Sequence, residues 1–228
     1  PGLANLSDAR EIVHTAFNTV STDNPKQVYP MTSYDVPEGE ICIPKILPTL
    51  KTLDQVVDVD YYMPGCPPES HQIAAVIDLV IQVLQGKAEL PPKGSVIGAG
   101  NSTVCDECQR ARNVKTITSF NRIFGQEIDP DLCLLEQGIP CNGVATRSGC
   151  NARCPTAGAQ CIGCYGPAEG VVDYGARLVS AFASVIDAKE PDEIDRILDG
   201  IPDPAGQFYR FNLAGSLLRA GKSAWEKA

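Results

Sequence analysis

Ten cysteines stand among the 228 residues, and eight of them lie between Cys105 and Cys164. Cys105, Cys108, Cys133 and Cys141 are spaced C-x2-C-x24-C-x7-C; Cys150, Cys154, Cys161 and Cys164 are spaced C-x3-C-x6-C-x2-C. Four thiolates are what one tetrahedral zinc or one cubane iron–sulfur cluster takes. A C-x2-C unit lets two thiolates converge on one centre from a tight turn whose amides donate to sulfur. Three chemistries compete for the eight. Disulfides need an oxidising compartment, and a chain of this length buries a core without staples. Structural zinc usually shows two C-x2-C knuckles per site, or one knuckle with a histidine pair. Each quartet here has one such knuckle, and the two histidines, His14 and His71, both precede it. Iron–sulfur clusters fit best, and Cys154-Pro155 repeats the ligand-then-proline step of bacterial ferredoxins.

The other two cysteines are isolated. Cys66 sits between Gly65 and Pro67-Pro68, on a stiff, preset loop. It is either a buried free thiol or one ligand of a third cluster completed from elsewhere. Cys42 has apolar neighbours, Ile41 and Ile43, and reads as a structural, buried thiol. His14 falls in a helical pattern. His71 opens a helix just after the Cys66 loop and reads as structural, with tuning of that site as the alternative.

Composition excludes several functions. Acidic residues outnumber basic ones 28 to 19, for a net charge of −9, which disfavours binding by phosphate neutralisation. Aromatics at 6% make a poor base-stacking platform. No nucleotide fingerprint or P-loop is present. The longest apolar stretch, Ile73 to Leu84, is broken by Asp78 and is too short for a membrane span. No internal repeat is evident.

These residues need elements to position them. Ser7 caps a helix expected over 8–20. Residues 21–40, with three prolines, read as a long surface excursion. The β-branched and aromatic run Leu53 to Tyr62 reads as a strand leading into the Cys66 loop. Ser70 caps a helix over 70–87 with Ile73, Val76, Ile77, Val80, Ile81 and Leu84 on one face. A strand-end loop is where open α/β sheets bind ligands. Leu90 to Gly94 is a boundary. Beyond it the chain is rich in glycine and proline, with one periodic segment at Thr116–Phe124. Helices are expected at 176–189, 192–198 and 211–227.

Tyr61-Tyr62-Met63-Pro64-Gly65-Cys66-Pro67-Pro68 resembles the Gly-Cys-Pro-Pro motif of small subunits of nickel–iron hydrogenases. Cys105 to Cys164 resembles their C-terminal cluster region, most specifically in Cys133-Leu134-Leu135-Glu136-Gln137-Gly138-Ile139-Pro140-Cys141-Asn142-Gly143 and Cys161-Ile162-Gly163-Cys164-Tyr165-Gly166-Pro167. The likeness covers nearly the whole chain. It is greatest to the cytoplasmic branch, which includes the viologen-reducing, heterodisulfide-reductase-linked type and the gamma subunit of the F420-reducing enzyme.

The resemblance implies an α/β fold: residues 1–92 form the C-terminal part of a flavodoxin-like domain. Residues 93–228 then form a mostly irregular, helix-containing iron–sulfur domain. It implies a non-catalytic, electron-transfer subunit of an oxidoreductase, relaying electrons from H2 oxidation at the large subunit to a cytoplasmic acceptor. Cys66 maps to the last ligand of the proximal [4Fe–4S] cluster. The other three ligands lie upstream in the family, so the chain as given starts just after the third. Cys105, Cys108, Cys133 and Cys141 map to the distal cluster, with Cys105 where many relatives have histidine. Cys150, Cys154, Cys161 and Cys164 map to the medial cluster, with Cys154 where relatives with a three-iron cluster have proline. Both departures imply [4Fe–4S] clusters of low potential. The implied partners are the hydrogenase large subunit and an electron-accepting iron–sulfur or flavoprotein subunit. A zinc-stabilised interaction module and a stand-alone two-cluster carrier are the alternatives.

Overall fold

The computed structural model describes residues 5–18, 23–113 and 116–218. Helix α1 runs Ala9–Phe17, and its N-cap is Asp8, not Ser7: the Asp8 carboxylate accepts the Glu11 amide at 2.9 Å. The acid is the better partner for the positive end of the helix. The excursion before residue 40 contains an antiparallel hairpin that its sequence does not announce, β1 (Ser33–Val36) and β2 (Gly39–Cys42), in register Tyr34↔Ile41. Its strands are almost wholly exposed, so they lack the buried alternation by which a strand is read.

The strand expected over 53–62 is mostly absent. Leu53–Gln55 winds into a 3-10 turn, with the Gln55 side chain accepting the Thr52 amide at 3.0 Å. Val56 and Val57 are exposed. Only β3 (Tyr61–Tyr62) is extended, because only there does a neighbour complete the ladder. After the Cys66 loop comes α2 (Ser70–Leu84), whose N-cap is Glu69 and not Ser70. The chain returns as β4 (Ser95–Val96), parallel to β3 with Tyr61 opposite Ser95. This small β3–α2–β4 unit puts Cys66 at the carboxyl end of a parallel strand, between strand and helix. It is the only parallel strand pair among the described residues. Gln72 is the only buried residue described before Val104.

The core lies in the second half. Ile117, Phe120, Tyr174, Leu178, Phe182, Ile197 and Ile201 form one buried cluster. The Phe120 and Phe182 rings stack at 5.4 Å, and Phe208 meets Phe182 edge-on at 5.5 Å. Helix α3 (Val104–Glu107) and helix α4 (Arg153–Thr156) are single turns within the cysteine-rich loops. Helix α5 (Tyr174–Ala183) ends six residues before its expected limit of 189. The reason is tertiary. The Ile117 amide donates to the Val185 carbonyl at 2.7 Å, and the Asp187 amide to the Ile117 carbonyl at 2.9 Å. Strand-like pairing with the segment holding Ile117 draws residues 185–187 out of the helix. That same pairing keeps Thr116–Phe124 from being helical; it ends in a 3-10 turn, Ile123–Gly125.

Helix α6 (Pro191–Leu198) matches its expected range to within a residue. Helix α7 (Pro204–Tyr209) has no counterpart among the expected helices, although Asp203-Pro204 is a capping pair: Asp203 accepts the Gly206 amide at 2.8 Å. The helix expected over 211–227 does not form in its described part, where Leu213–Gly215 is a 3-10 turn. Its remainder lies outside the described residues. Asp173 fastens this end of the chain. Its carboxylate caps α5 at the Ala176 amide (2.9 Å) and accepts the Tyr209 hydroxyl (3.0 Å) and the Leu217 amide (2.9 Å). No helix among the described residues is long and apolar enough to cross a membrane.

Leu178 is 0% exposed at the centre of the core. Leu178→Ala is expected to cost about 2–5 kcal/mol, read as a lowered denaturation midpoint with an unchanged transition slope.

Candidate metal centre

Three loops bring the first quartet together. Thr103 turns the chain into α3 by donating both its amide and its hydroxyl to Asp106, at 2.8 and 2.9 Å. These bonds hold the Asp106 carboxyl below its ordinary range and set Cys105 on the helical turn. Cys133 is held by a short ladder: the Ala111 amide donates to the Asp131 carbonyl at 2.7 Å, and the Cys133 amide to the Ala111 carbonyl at 2.8 Å. Cys141 opens the 3-10 turn Asn142–Val144. Cys105, Cys133 and Cys141 line one cavity of about 380 Å³, with Ile117, Leu135 and Val144 on its apolar side and Arg112 and Arg177 among its polar residues. Burial pushes the Cys105 thiol up to about 12; Cys141 and Cys133 push it the same way, Arg112 opposes, and Cys108 adds to the rise. Burial likewise raises Cys141 to about 11, against the amides of Gly143 and Cys161 that face its sulfur.

The second quartet follows directly. Gly149, Asn151 and Ala152 all have positive φ, +126°, +54° and +48°, and wrap the backbone around Cys150. Non-glycine residues adopt such angles at a cost that the surroundings must offset. Cys154 is exposed on α4. Cys161 and Cys164 flank Gly163, whose φ is +91°; a Cβ there would collide with the Tyr174 hydroxyl. Burial raises the Cys164 thiol, and the neighbouring Cys154 and Cys150 add to it, while the Cys66 amide opposes by facing the Cys164 sulfur. Burial raises Cys161 furthest, and Cys141 adds to that rise. Its sulfur lies 3.4 Å from the Thr146 hydroxyl, which in turn is 2.8 Å from the Tyr174 hydroxyl.

The two sets and the Cys66 loop are joined. The Cys161 amide donates to the Cys141 sulfur at 3.3 Å. Val104, Ala152 and Cys161 pack as one buried cluster, against which Cys108, Cys141 and Cys150 lie. Cys66 is exposed on its loop. Cys42 is exposed at the end of β2, contrary to its expected burial, because the hairpin that carries it has no buried face. His14 is exposed on α1. His71 lies 3.0 Å through Nε2 from the Gly149 carbonyl and so touches the Cys150 loop.

Several residues of this site escape a spacing argument. The Arg110 guanidinium donates to the carbonyls of Pro155, Asp129 and Leu132 at 2.7–2.9 Å. The buried Arg147 donates to the carbonyls of Pro167 (3.1 Å) and Gly100 (2.9 Å). Gln72 accepts the Tyr165 hydroxyl at 2.5 Å and donates to the Gly98 carbonyl at 2.7 Å, tying α2 to the residue beside Cys164. Most of these bonds end on backbone, so no partner residue type marks them.

Among the described residues no three histidine, cysteine or carboxylate side chains close on a point that could hold a single metal ion. A cubane spaces its ligand sulfurs more widely than the about 3.8 Å of a tetrahedral zinc site. The donor set fits a cluster: sulfur alone, mostly withdrawn from water, with amides facing it. Such an arrangement suits thiolate ligation of a cluster.

No family model matches the chain. It is 36% identical over 227 residues to the F420-non-reducing hydrogenase iron-sulfur subunit of Archaeoglobus profundus, covering 96% of this chain and 67% of that one. To an F420-non-reducing hydrogenase subunit of Methanothermobacter thermautotrophicus it is 37% identical over 228 residues, covering 96% and 66%. To the like-named subunit of Methanothermus fervidus it is 42% identical over 118 residues, covering 50% and 93%. The chain belongs to the family of hydrogenase iron–sulfur subunits and spans about two thirds of the length of its longer relatives.

The nucleophile is the thiolate. In the metal-free protein at pH 8, iodoacetamide is therefore expected to modify exposed Cys42, Cys66 and Cys154 before Cys105, Cys141 and Cys161. Cys105 should still be gaining rate as the pH rises from 9 towards 12, because its raised pKa keeps it protonated below that range. Peptide mapping of the alkylated cysteines checks the order.

Proposed function

We propose that the chain is the electron-relaying small subunit of a nickel–iron hydrogenase of the cytoplasmic, F420-non-reducing type. In this reading Cys105, Cys108, Cys133 and Cys141 hold one [4Fe–4S] cluster, the distal one. Cys150, Cys154, Cys161 and Cys164 hold a second, the medial one. Cys66 supplies one ligand to a third, proximal cluster whose other ligands are not among the residues of this chain. The fold of residues 1–92 is then the last part of a flavodoxin-like domain, and the β3–α2–β4 unit, with a cysteine at the strand end, accords with that. The partners are the large subunit and an iron–sulfur or flavoprotein acceptor.

The observation that carries the reading is the order of amide-to-sulfur contacts. The Cys66 amide faces the Cys164 sulfur, and the Cys161 amide faces the Cys141 sulfur. The three cysteine sites thus follow one another in a row, each touching the next through a peptide group. When bound, the clusters supply one-electron transfer. The chain's own part is to hold the thiolates, exclude water and aim N–H dipoles at sulfur. It offers no imidazole among the eight clustered positions. More thiolate charge at a cluster favours a lower reduction potential, suited to a low-potential acceptor.

Metal analysis of anaerobically purified protein tests the reading. About eight irons and eight sulfides per chain are expected for two cubanes, and about twelve of each where the third site is complete. About two zincs and no sulfide would overturn it. Cys154→Pro is expected to convert the second site to a three-iron centre by paramagnetic resonance and leave the first intact. Loss of iron from both sites together, or from neither, would break the division into quartets.

A further inference from the structure

Glu107 stands inside the first C-x2-C unit, between Cys105 and Cys108, yet its carboxylate serves the other quartet. One oxygen accepts the Gly149 amide at 2.7 Å and the other the Ala152 amide at 3.3 Å. Those amides bracket Cys150. They belong to the run of positive φ angles that wraps that cysteine. Successive amides in such a conformation form a concavity that suits an anion. Here the anion is the chain's own side chain. Glu107 is half-buried, and among the described residues it has no ion-pair partner. The nearby cation, Arg153, is engaged by Glu69 at 2.5 Å. The carboxylate charge beside Cys150 is thus met by amide dipoles and, among the described residues, by no ion pair. Burial raises that thiol, the amides of Arg153 and Ala152 oppose the rise, and Glu107 adds to it.

We infer that Glu107 is a positioning residue for the cluster held by Cys150, Cys154, Cys161 and Cys164, shaping the Cys150 loop and setting that cluster's potential lower than thiolate ligation alone. The inference rests on the ligand assignment proposed above. Two effects act in the same direction. The negative charge disfavours adding an electron to the neighbouring centre. The carboxylate also competes with the Cys150 sulfur for the Ala152 amide, and amide donation to sulfur raises a cluster's potential. Arg110 supports the same junction from the other side, since it bonds the Pro155 carbonyl next to Cys154 and the Leu132 carbonyl next to Cys133. It carries no negative charge, so its removal disturbs spacing without relieving the carboxylate.

The test is a redox titration of the anaerobically purified hydrogenase complex, followed by paramagnetic resonance. Wild type is compared with Glu107→Gln, Glu107→Asp and Arg110→Gln. Glu107→Gln is expected to shift the second cluster to higher potential while the first keeps its own and the iron content is unchanged. Glu107→Asp, which keeps the charge, is expected to stay near wild type, and Arg110→Gln should not reproduce the upward shift. An unmoved second cluster in an iron-replete Glu107→Gln complex would overturn the inference. So would an equal shift in Glu107→Asp, which would mark a purely structural brace. A Glu107→Gln complex that loads no second cluster while Glu107→Asp loads normally would leave loop shaping intact but overturn the potential-setting part. If the wild-type complex carried no cubane on the second quartet, it is the ligand assignment that would fail.

Discussion

Most of the structure beyond residue 100 answers one constraint: sulfur has to be withdrawn from water and still be ready to carry negative charge. Burial alone works against this, as the raised thiols of Cys105, Cys141 and Cys161 show. The protein relieves the conflict mainly with dipoles, helped at Cys105 by the Arg112 cation. Amides of Gly143, Cys161, Gly163, Arg153, Ala152 and Cys66 face the sulfurs. Aiming so many N–H groups inward forbids regular helix and strand, because those elements use their amides on themselves. The glycines, the 3-10 turns and the left-handed residues are the backbone's response. What would otherwise be a loose set of loops is pinned by side chains that bond carbonyls, chiefly Arg110 and Arg147, and by the aromatic core beneath.

The cysteine spacings alone single out the eight clustered cysteines and the Cys66 loop as the candidate site. So are α2 and α6, where an apolar period or a proline start is strong. What stayed hidden was decided by distant partners. Ile117 pairs with Val185 and Asp187, and no local pattern in 176–189 announces that the helix must stop. The valines of 53–62 have strand propensity but no neighbour to complete a ladder, so only two residues are extended. Glu107 illustrates the same limit at the site. Nothing in its place between two cysteines marks it, because its partners are two amides more than forty residues away.

The first third of the chain is differently made. Its helices and hairpin are stabilised by caps, as at Asp8, and by polar bonds such as the pair that joins Asn5 to Leu50, distant in sequence. Buried apolar packing hardly contributes, and the apolar face of α2 is open, with Leu84 81% exposed. Its attachment to the rest is polar: buried Gln72 bonds Tyr165 and the Gly98 carbonyl, Glu69 pairs with Arg153, and His71 meets the Gly149 carbonyl.

This polar anchorage, gathered at the start of α2, has a kinetic consequence. Local opening follows the lines where few buried contacts must break. The segment from α1 through the hairpin can therefore open and reclose while the cysteine-rich half stays folded. Its amides will exchange with deuterated water long before those near Ala145 and Leu178. The boundary between fast and slow exchange will fall within α2 itself: early at its Leu84 end, late at Gln72. The loop bearing Cys66 sits on the slow side of that boundary, so this cysteine moves with the half that carries the eight clustered ones.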